Sequence, residues 1–128
     1  MILVIGGAYN GKLNFVQEHF NISKSDICFC NDGNIDLSKK VIYKFHEYIY
    51  IQRKNGNNPI DEIYKLKEEL RDKIVICDDI SSGIVPLKEE ERVWREDNGR
   101  CLQILSKEAN IIYRVFCGIP TLIKNEEL

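Results

Sequence analysis

An α/β fold, a three-layer sandwich around a mostly parallel sheet, is what this chain predicts, and three observations predict it. Short continuous apolar runs recur along the sequence, as strands buried on both faces require. Segments with apolar residues at helical spacing alternate with those runs. A glycine-rich turn, Gly6-Gly7-Ala8-Tyr9-Asn10-Gly11-Lys12, joins the first run to the first helical segment.

The elements follow in order. Residues 1–5 (MILVI) read as the first strand, and Leu13, Val16 and Phe20 space a helix over 11–20. The run ICFC at 27–30 is a second strand, followed by a polar stretch that turns around Asn31-Asp32-Gly33-Asn34. Residues 39–53 read as a helix, with Ile42, Phe45 and Ile49 on one face. A break at 55–59 precedes another helix over 60–71, whose Asp61 and Glu62 sit in the first turn as the helix dipole favours. KIVIC at 73–77 is the third strand, 81–86 a loop, and 88–108 mostly helix with Trp94, Cys101, Leu105 and Ala109 as its apolar stripe. Residues 111–117 form the fourth strand, and the charged tail from Lys124 is expected to fray.

The 128 residues suit a single domain over 1–128, and 44% hydrophobic with 30% charged residues is ordinary for a soluble chain. A net charge of −2 argues against a nucleic-acid partner with an extended anionic surface, while leaving room for one local phosphate site. No apolar run approaches the roughly 20 residues that span a membrane. The opening MILVIGG lacks the basic stretch and small-residue cleavage site of a signal peptide. Five cysteines, set in apolar runs or on a helical pattern, read as reduced thiols of a cytoplasmic protein.

Sheets of this kind bind ligands outside the carboxyl ends of their strands. Those ends carry residues 6–12, Asn31-Asp32, Asp78-Asp79 and Gly118. Residues 6–12 fit the first seven positions of the phosphate-binding loop G-x-x-x-x-G-K-[ST], which makes the expected fold phosphate-loop NTPase-like. Gly6, Gly7, Ala8, Tyr9, Asn10 and Gly11 would turn backbone N–H groups toward one anion, and Lys12 would reach the β and γ phosphates of a nucleoside triphosphate. Leu13 stands where Ser or Thr normally binds Mg²⁺. Water can replace that hydroxyl, so nucleotide binding is weakened rather than forbidden, and efficient transfer is the more affected. The alternative is a plain strand–turn–helix joint with Leu13 in the core. Asp78 and Asp79, after four apolar residues, are candidate Mg²⁺ ligands or else the start of a turn; Asp32 is a further carboxylate at this edge.

A more specific string follows. Cys77-Asp78-Asp79-Ile80-Ser81-Ser82-Gly83-Ile84-Val85-Pro86, then Arg95-Glu96-Asp97-Asn98-Gly99-Arg100 with Gln103, then Cys117-Gly118-Ile119-Pro120 ahead of Lys124, resemble the C-terminal part of the adenosylcobinamide kinase / adenosylcobinamide-phosphate guanylyltransferase family of cobalamin biosynthesis. Ile5 to Lys12 resembles that family's T-G-G-A-R-S-G-K-S. The resemblance implies phosphorylation of a cobinamide hydroxyl by ATP or GTP with Mg²⁺, then GMP transfer through a covalent histidine. It also implies a trimer. Lys12 and the loop glycines would hold the triphosphate; Asp79 matches a family glutamate and Asp78 replaces an asparagine. His46, without the family's basic neighbours, is the candidate nucleophile or else a partly buried helix residue, and His19 suits a helix C-terminus. Arg95 and Arg100 are phosphate ligands or part of a charged face with Glu89, Glu90 and Glu91; Trp94 reads as core. The chain is shorter in the middle than that family. With Leu13, this supports the rival reading of a nucleotide-binding or interaction protein without transfer activity.

Overall fold

The computed structural model describes residues 1–80 and 88–126; the string Gly83-Ile84-Val85-Pro86 lies outside the described residues. The strands are β1 (Ile2–Gly6), β2 (Ile27–Phe29), β3 (Val41–Tyr43), β4 (Ile74–Asp78), β5 (Ile111–Phe116) and β6 (Ile119–Asn125). The helices are α1 (Lys12–His19), α2 (Phe45–Lys54), α3 (Pro59–Leu66) and α4 (Glu89–Glu108). The strands form one sheet in the order β2-β3-β4-β1-β5-β6. All pairings are parallel except that of β5 with β6.

The period of two along each strand divides the core. Leu3, Ile42, Val75, Cys77 and Ile112 face one side, where they pack with Phe45 and Ile49 of α2, Ile63 of α3, and Cys101 and Leu105 of α4. Val4, Val41, Ile74, Ile76 and Val115 face the other side, against Val16 of α1. The result is the expected three-layer, mostly parallel α/β sandwich of phosphate-loop NTPase-like form. On the first side, Arg53 of α2 makes a bidentate pair with buried Asp97 of α4, Nε to Oδ2 and Nη2 to Oδ1 both at 2.9 Å. That pair fixes the two helices against each other.

Three segments differ from expectation. Residues 39–53 are not one helix: Val41-Ile42-Tyr43 is a strand pairing Val41 with Ile74, and α2 begins only after Lys44. The helical spacing of Ile42, Phe45 and Ile49 arises because strand and helix deliver all three to the same core cluster. Within the tail expected to fray, Lys124 and Asn125 belong to β6. The Lys124 ammonium donates to the Ser106 carbonyl at 2.8 Å, and Glu126 N–H donates to the Asn110 carbonyl at 2.8 Å. Cys117 and Gly118, with φ of 51° and 77°, supply the two positive-φ positions of a tight hairpin between β5 and β6. Among the described residues the sheet therefore has six strands where the apolar runs indicated four. The helix expected over 60–71 is shorter, starting at Pro59 with the Asn58 side chain accepting from Ile60 N–H at 3.0 Å.

The five cysteines are free thiols, and burial pushes those of Cys30 and Cys77 well up and that of Cys101 to about 12. No helix among the described residues is long and apolar enough to cross a membrane.

Candidate functional site

The C-terminal ends of β1 and β4 lie side by side, with Gly6 paired to Asp78. Asp79 N–H closes this end by donating to the Gly6 carbonyl at 2.8 Å. The chain then leaves β1 through the glycine-rich turn and enters α1 at Lys12. Gly6 has no room for a side chain: a Cβ there would stand 2.4 Å from the Val115 carbonyl oxygen of the adjacent strand. Gly11 and Tyr9 take left-handed conformations, φ 84° and 60°. The far side of the turn is fastened to the β5–β6 hairpin, where Asn10 Oδ1 accepts from Cys117 N–H at 3.2 Å and the Asn10 carbonyl from Gly118 N–H at 2.9 Å.

Lys12 is 5% exposed, unusual for lysine. Its ammonium donates to the Gly7 carbonyl at 2.6 Å and pairs with Asp78 Oδ1 at 2.7 Å. The turn thus wraps its own lysine, and the positive charge sits where strand, turn and helix meet.

His46, in the first turn of α2, approaches Asp78 from the opposite layer. Its Nδ1 accepts the Asp78 N–H at 3.0 Å and its Nε2 lies 3.5 Å from Asp78 Oδ2. An Nδ1 that accepts leaves the proton of the neutral ring on Nε2, aimed at the carboxylate. Burial lowers the His46 pKa below its ordinary value, and the Asp78 charge opposes that shift in part. Behind the ring, the Trp94 indole N–H donates to the His46 carbonyl at 2.7 Å. Fully buried Asn98 donates to the Asp78 carbonyl at 3.0 Å and accepts from the Cys77 thiol at 3.5 Å. Asn98 holds the strand end without facing the cleft.

These residues border a cleft of about 490 Å³ lined by the turn, Lys12, Leu13, Lys44, His46, Glu47 and Asp78. Lys44 holds φ 63° and ψ 44° at the start of α2, a left-handed conformation for a long side chain. Lys12, Leu13, His46 and Asp78 line this one cleft. Asp79 is set apart, lining a hollow with Gly99, Leu102 and Gln103 of α4. Asp32 accepts from Asn34 N–H at 3.0 Å in its turn. Arg100 pairs along α4 with Glu96 at 2.5 Å. His19 stacks on Phe15 at the end of α1, as a basic residue of its last turn. Lys44 and Glu47 carry no motif and escape a reading of the sequence; Asn98 lies within the string at 95–100, but its role at the end of β4 is visible only in the fold.

The donor set at the cleft fits a hard cation only in part. Asp78 and Glu47 are its carboxylates, Leu13 brings no oxygen, and no cluster of three ligating side chains occurs among the described residues. Mg²⁺ keeps several waters and takes phosphate oxygens, so a single carboxylate such as Asp78 suffices for it.

A family model described as cobinamide kinase / cobinamide phosphate guanyltransferase matches residues 37–123. The matched span opens ahead of β3 and takes in His46, Asp78 and all of α4; the turn at 6–12 precedes it. No curated protein matches the chain.

Proposed function

The chain belongs to the cobinamide kinase / cobinamide phosphate guanyltransferase family, nucleotide-binding transferases of cobalamin biosynthesis; from that premise we propose that it binds ATP or GTP in the cleft above β1 and β4 and transfers the terminal phosphoryl group to a cobinamide hydroxyl. The observation that carries this reading is the buried Lys12 ammonium, held between the Gly7 carbonyl and the Asp78 carboxylate. A phosphate entering the turn would take over this cation as a partner and meet the N–H groups that begin α1.

In the transfer the acceptor hydroxyl oxygen bonds to the γ-phosphorus, the bond from that phosphorus to the β,γ-bridging oxygen breaks, a nucleoside diphosphate leaves with the bridging oxygen, and the hydroxyl proton passes to water. Charge grows on the bridging oxygen, and Lys12 would stabilise it. Bound Mg²⁺ would neutralise further phosphate charge, with Asp78 as the residue that would hold it. Asp79 acts through its backbone, fixing where the turn leaves β1. Free thiols suit a reducing, cytoplasmic setting.

Guanylyl transfer through His46 asks more of the site. A nucleophilic nitrogen needs its lone pair, yet Nδ1 is engaged by Asp78 N–H and Nε2 carries the proton. His46 would have to release the Asp78 backbone before attacking phosphorus. As held, it orients Asp78. This constraint, with Leu13 in place of a hydroxyl, favours the second reading of a binding protein without guanylyl transfer.

Calorimetric titration of wild type and Lys12→Met with ATP and GTP tests the proposal; methionine keeps the apolar stem packed. Loss of one charge-assisted contact is expected to weaken binding by about tenfold or more. Wild type that binds neither nucleotide at millimolar concentration overturns the reading. A cobinamide phosphorylation assay then separates transferase from binder.

A further inference from the structure

We infer that Asn10 contacts the bound phosphate with its side-chain amide, and that the β5–β6 hairpin is what aims it. The inference rests on the nucleotide-binding reading above. It adds a donor that the loop motif does not specify, because the motif leaves this position open to any residue.

Three observations carry it. The first is the orientation of the amide. A backbone N–H only donates, so the Asn10 atom that takes the Cys117 N–H at 3.2 Å is the carbonyl oxygen Oδ1. That bond turns the NH₂ end away from the hairpin and over the loop, where a Cβ on Gly7 would lie 3.0 Å from Nδ2. Gly7 is also the residue whose carbonyl holds the Lys12 ammonium at 2.6 Å. Amide and ammonium therefore flank one residue of the turn, and an anion seated there meets both. Being neutral, the amide can stand near Lys12, where a second cation would be repelled.

The second observation is that this donor is unspent. Among the described residues, both hydrogen bonds of Asn10 are accepted ones: Oδ1 from Cys117 and the backbone carbonyl from Gly118 at 2.9 Å. The two N–H bonds of the side chain are left for water or a ligand, in a residue that lines the phosphate cleft.

The third is how the fold prepares the residue. Tyr9 and Gly11 take positive φ on either side of it, 60° and 84°, and so turn its carbonyl and side chain toward the hairpin together. The hairpin spends both N–H groups of its two-residue turn on Asn10. Strand β6 is almost wholly exposed and adds little to the core. Its far end is pinned by Lys124, whose ammonium donates to the Ser106 and Lys107 carbonyls at the end of α4. A strand that buries so little is accounted for by its turn, which fixes a donor before the ligand arrives and spares the cost of ordering it on binding.

The test titrates the full chain, labelled with heavy nitrogen, with inorganic tripolyphosphate and with ATP. The Asn10 side-chain resonance is identified by its loss in Asn10→Asp. In wild type it should move downfield with both probes, while the side-chain amide of Asn57, bonded to Gln52, stays in place. Asn10→Asp keeps an oxygen for the Cys117 N–H, so that N–H should exchange with solvent as slowly as in wild type. Its affinity for tripolyphosphate should nonetheless fall by about tenfold or more. Asn10→Ala should lose a similar factor and let the Cys117 N–H exchange faster. An Asn10 amide that stays in place while ATP binds, or an aspartate variant that binds as wild type does, overturns the inference and leaves the nucleotide reading standing. Wild type that binds neither probe removes both.

Discussion

Lys44 separates what this site needs chemically from what its backbone tolerates. The residue sits at φ 63°, ψ 44°, and its carbonyl accepts from Glu47 N–H at 3.0 Å as α2 begins. A left-handed conformation costs a residue with a Cβ roughly 1–2 kcal/mol, and glycine nothing. Glycine also brings about 0.5–1 kcal/mol of extra unfolded-state freedom. Lys44→Gly should therefore leave stability level or raise it by up to about 1 kcal/mol, and it should be about 1 kcal/mol more stable than Lys44→Ala, which keeps the strain. For a chain of this size that difference is a few degrees in Tm, readable by scanning calorimetry. Both variants lose the ammonium that lines the cleft opposite the turn. A unit charge about 4 Å from a phosphate is worth about 1 kcal/mol in water and about 4 near a protein surface. Lys44 is half-exposed, so the lower end applies and triphosphate affinity should fall about fivefold in both. A glycine variant that binds ATP as wild type does, or one less stable than the alanine variant, refutes the reasoning.

Other expectations follow from the same geometry. Gly6→Ala sets a Cβ against the Val115 carbonyl, a backbone group of a central strand that cannot swing aside; unfolding in urea should show about 1–3 kcal/mol lost, and a change under about 0.5 kcal/mol would contradict the packing. The lowered pKa of His46 means the folded protein prefers the neutral ring. Its contribution is present above the ordinary histidine value near 6.5 and is lost as pH falls through the lower folded value. With Asp78, Glu47, Lys12 and Lys44 around the ring, Tm should decline on acidification below pH about 6.5 in wild type, and less in His46→Asn, whose amide oxygen can still accept from Asp78 N–H. Parallel curves for the two proteins would remove His46 as the source.

The legible parts of this protein are those written in contiguous residues. The strand at 1–5, the glycine turn and α1 follow from a single run, because the turn needs glycine at Gly6 and Gly11 and the helix needs its apolar face at once. The strand at 74–78 with its terminal carboxylate is equally local. What the sequence hides is short or edge structure. Val41-Ile42-Tyr43 is three residues long and flows into a helix, so its period of two never repeats. The strand Ile119–Asn125 is almost wholly exposed and carries no core-facing alternation to read; its register comes from a two-residue turn and pairing with β5.

The site divides along the same line. Lys12 and Asp78 announce themselves because each stands at the end of a strand in a recognisable string, and the sheet registers place those ends together. His46, Lys44 and Glu47 reach the cleft only because β3 inserts beside β4, which brings the start of α2 to the level of Asp78. Reading residues 39–53 as one helix moves that start several residues upstream and removes the reason for His46 to meet Asp78. The position of the short strand β3 and the approach of His46 to Asp78 are therefore one structural fact. A helix begun at Phe45, after a left-handed Lys44, is what points the ring at the end of β4, where its Nδ1 accepts the Asp78 N–H.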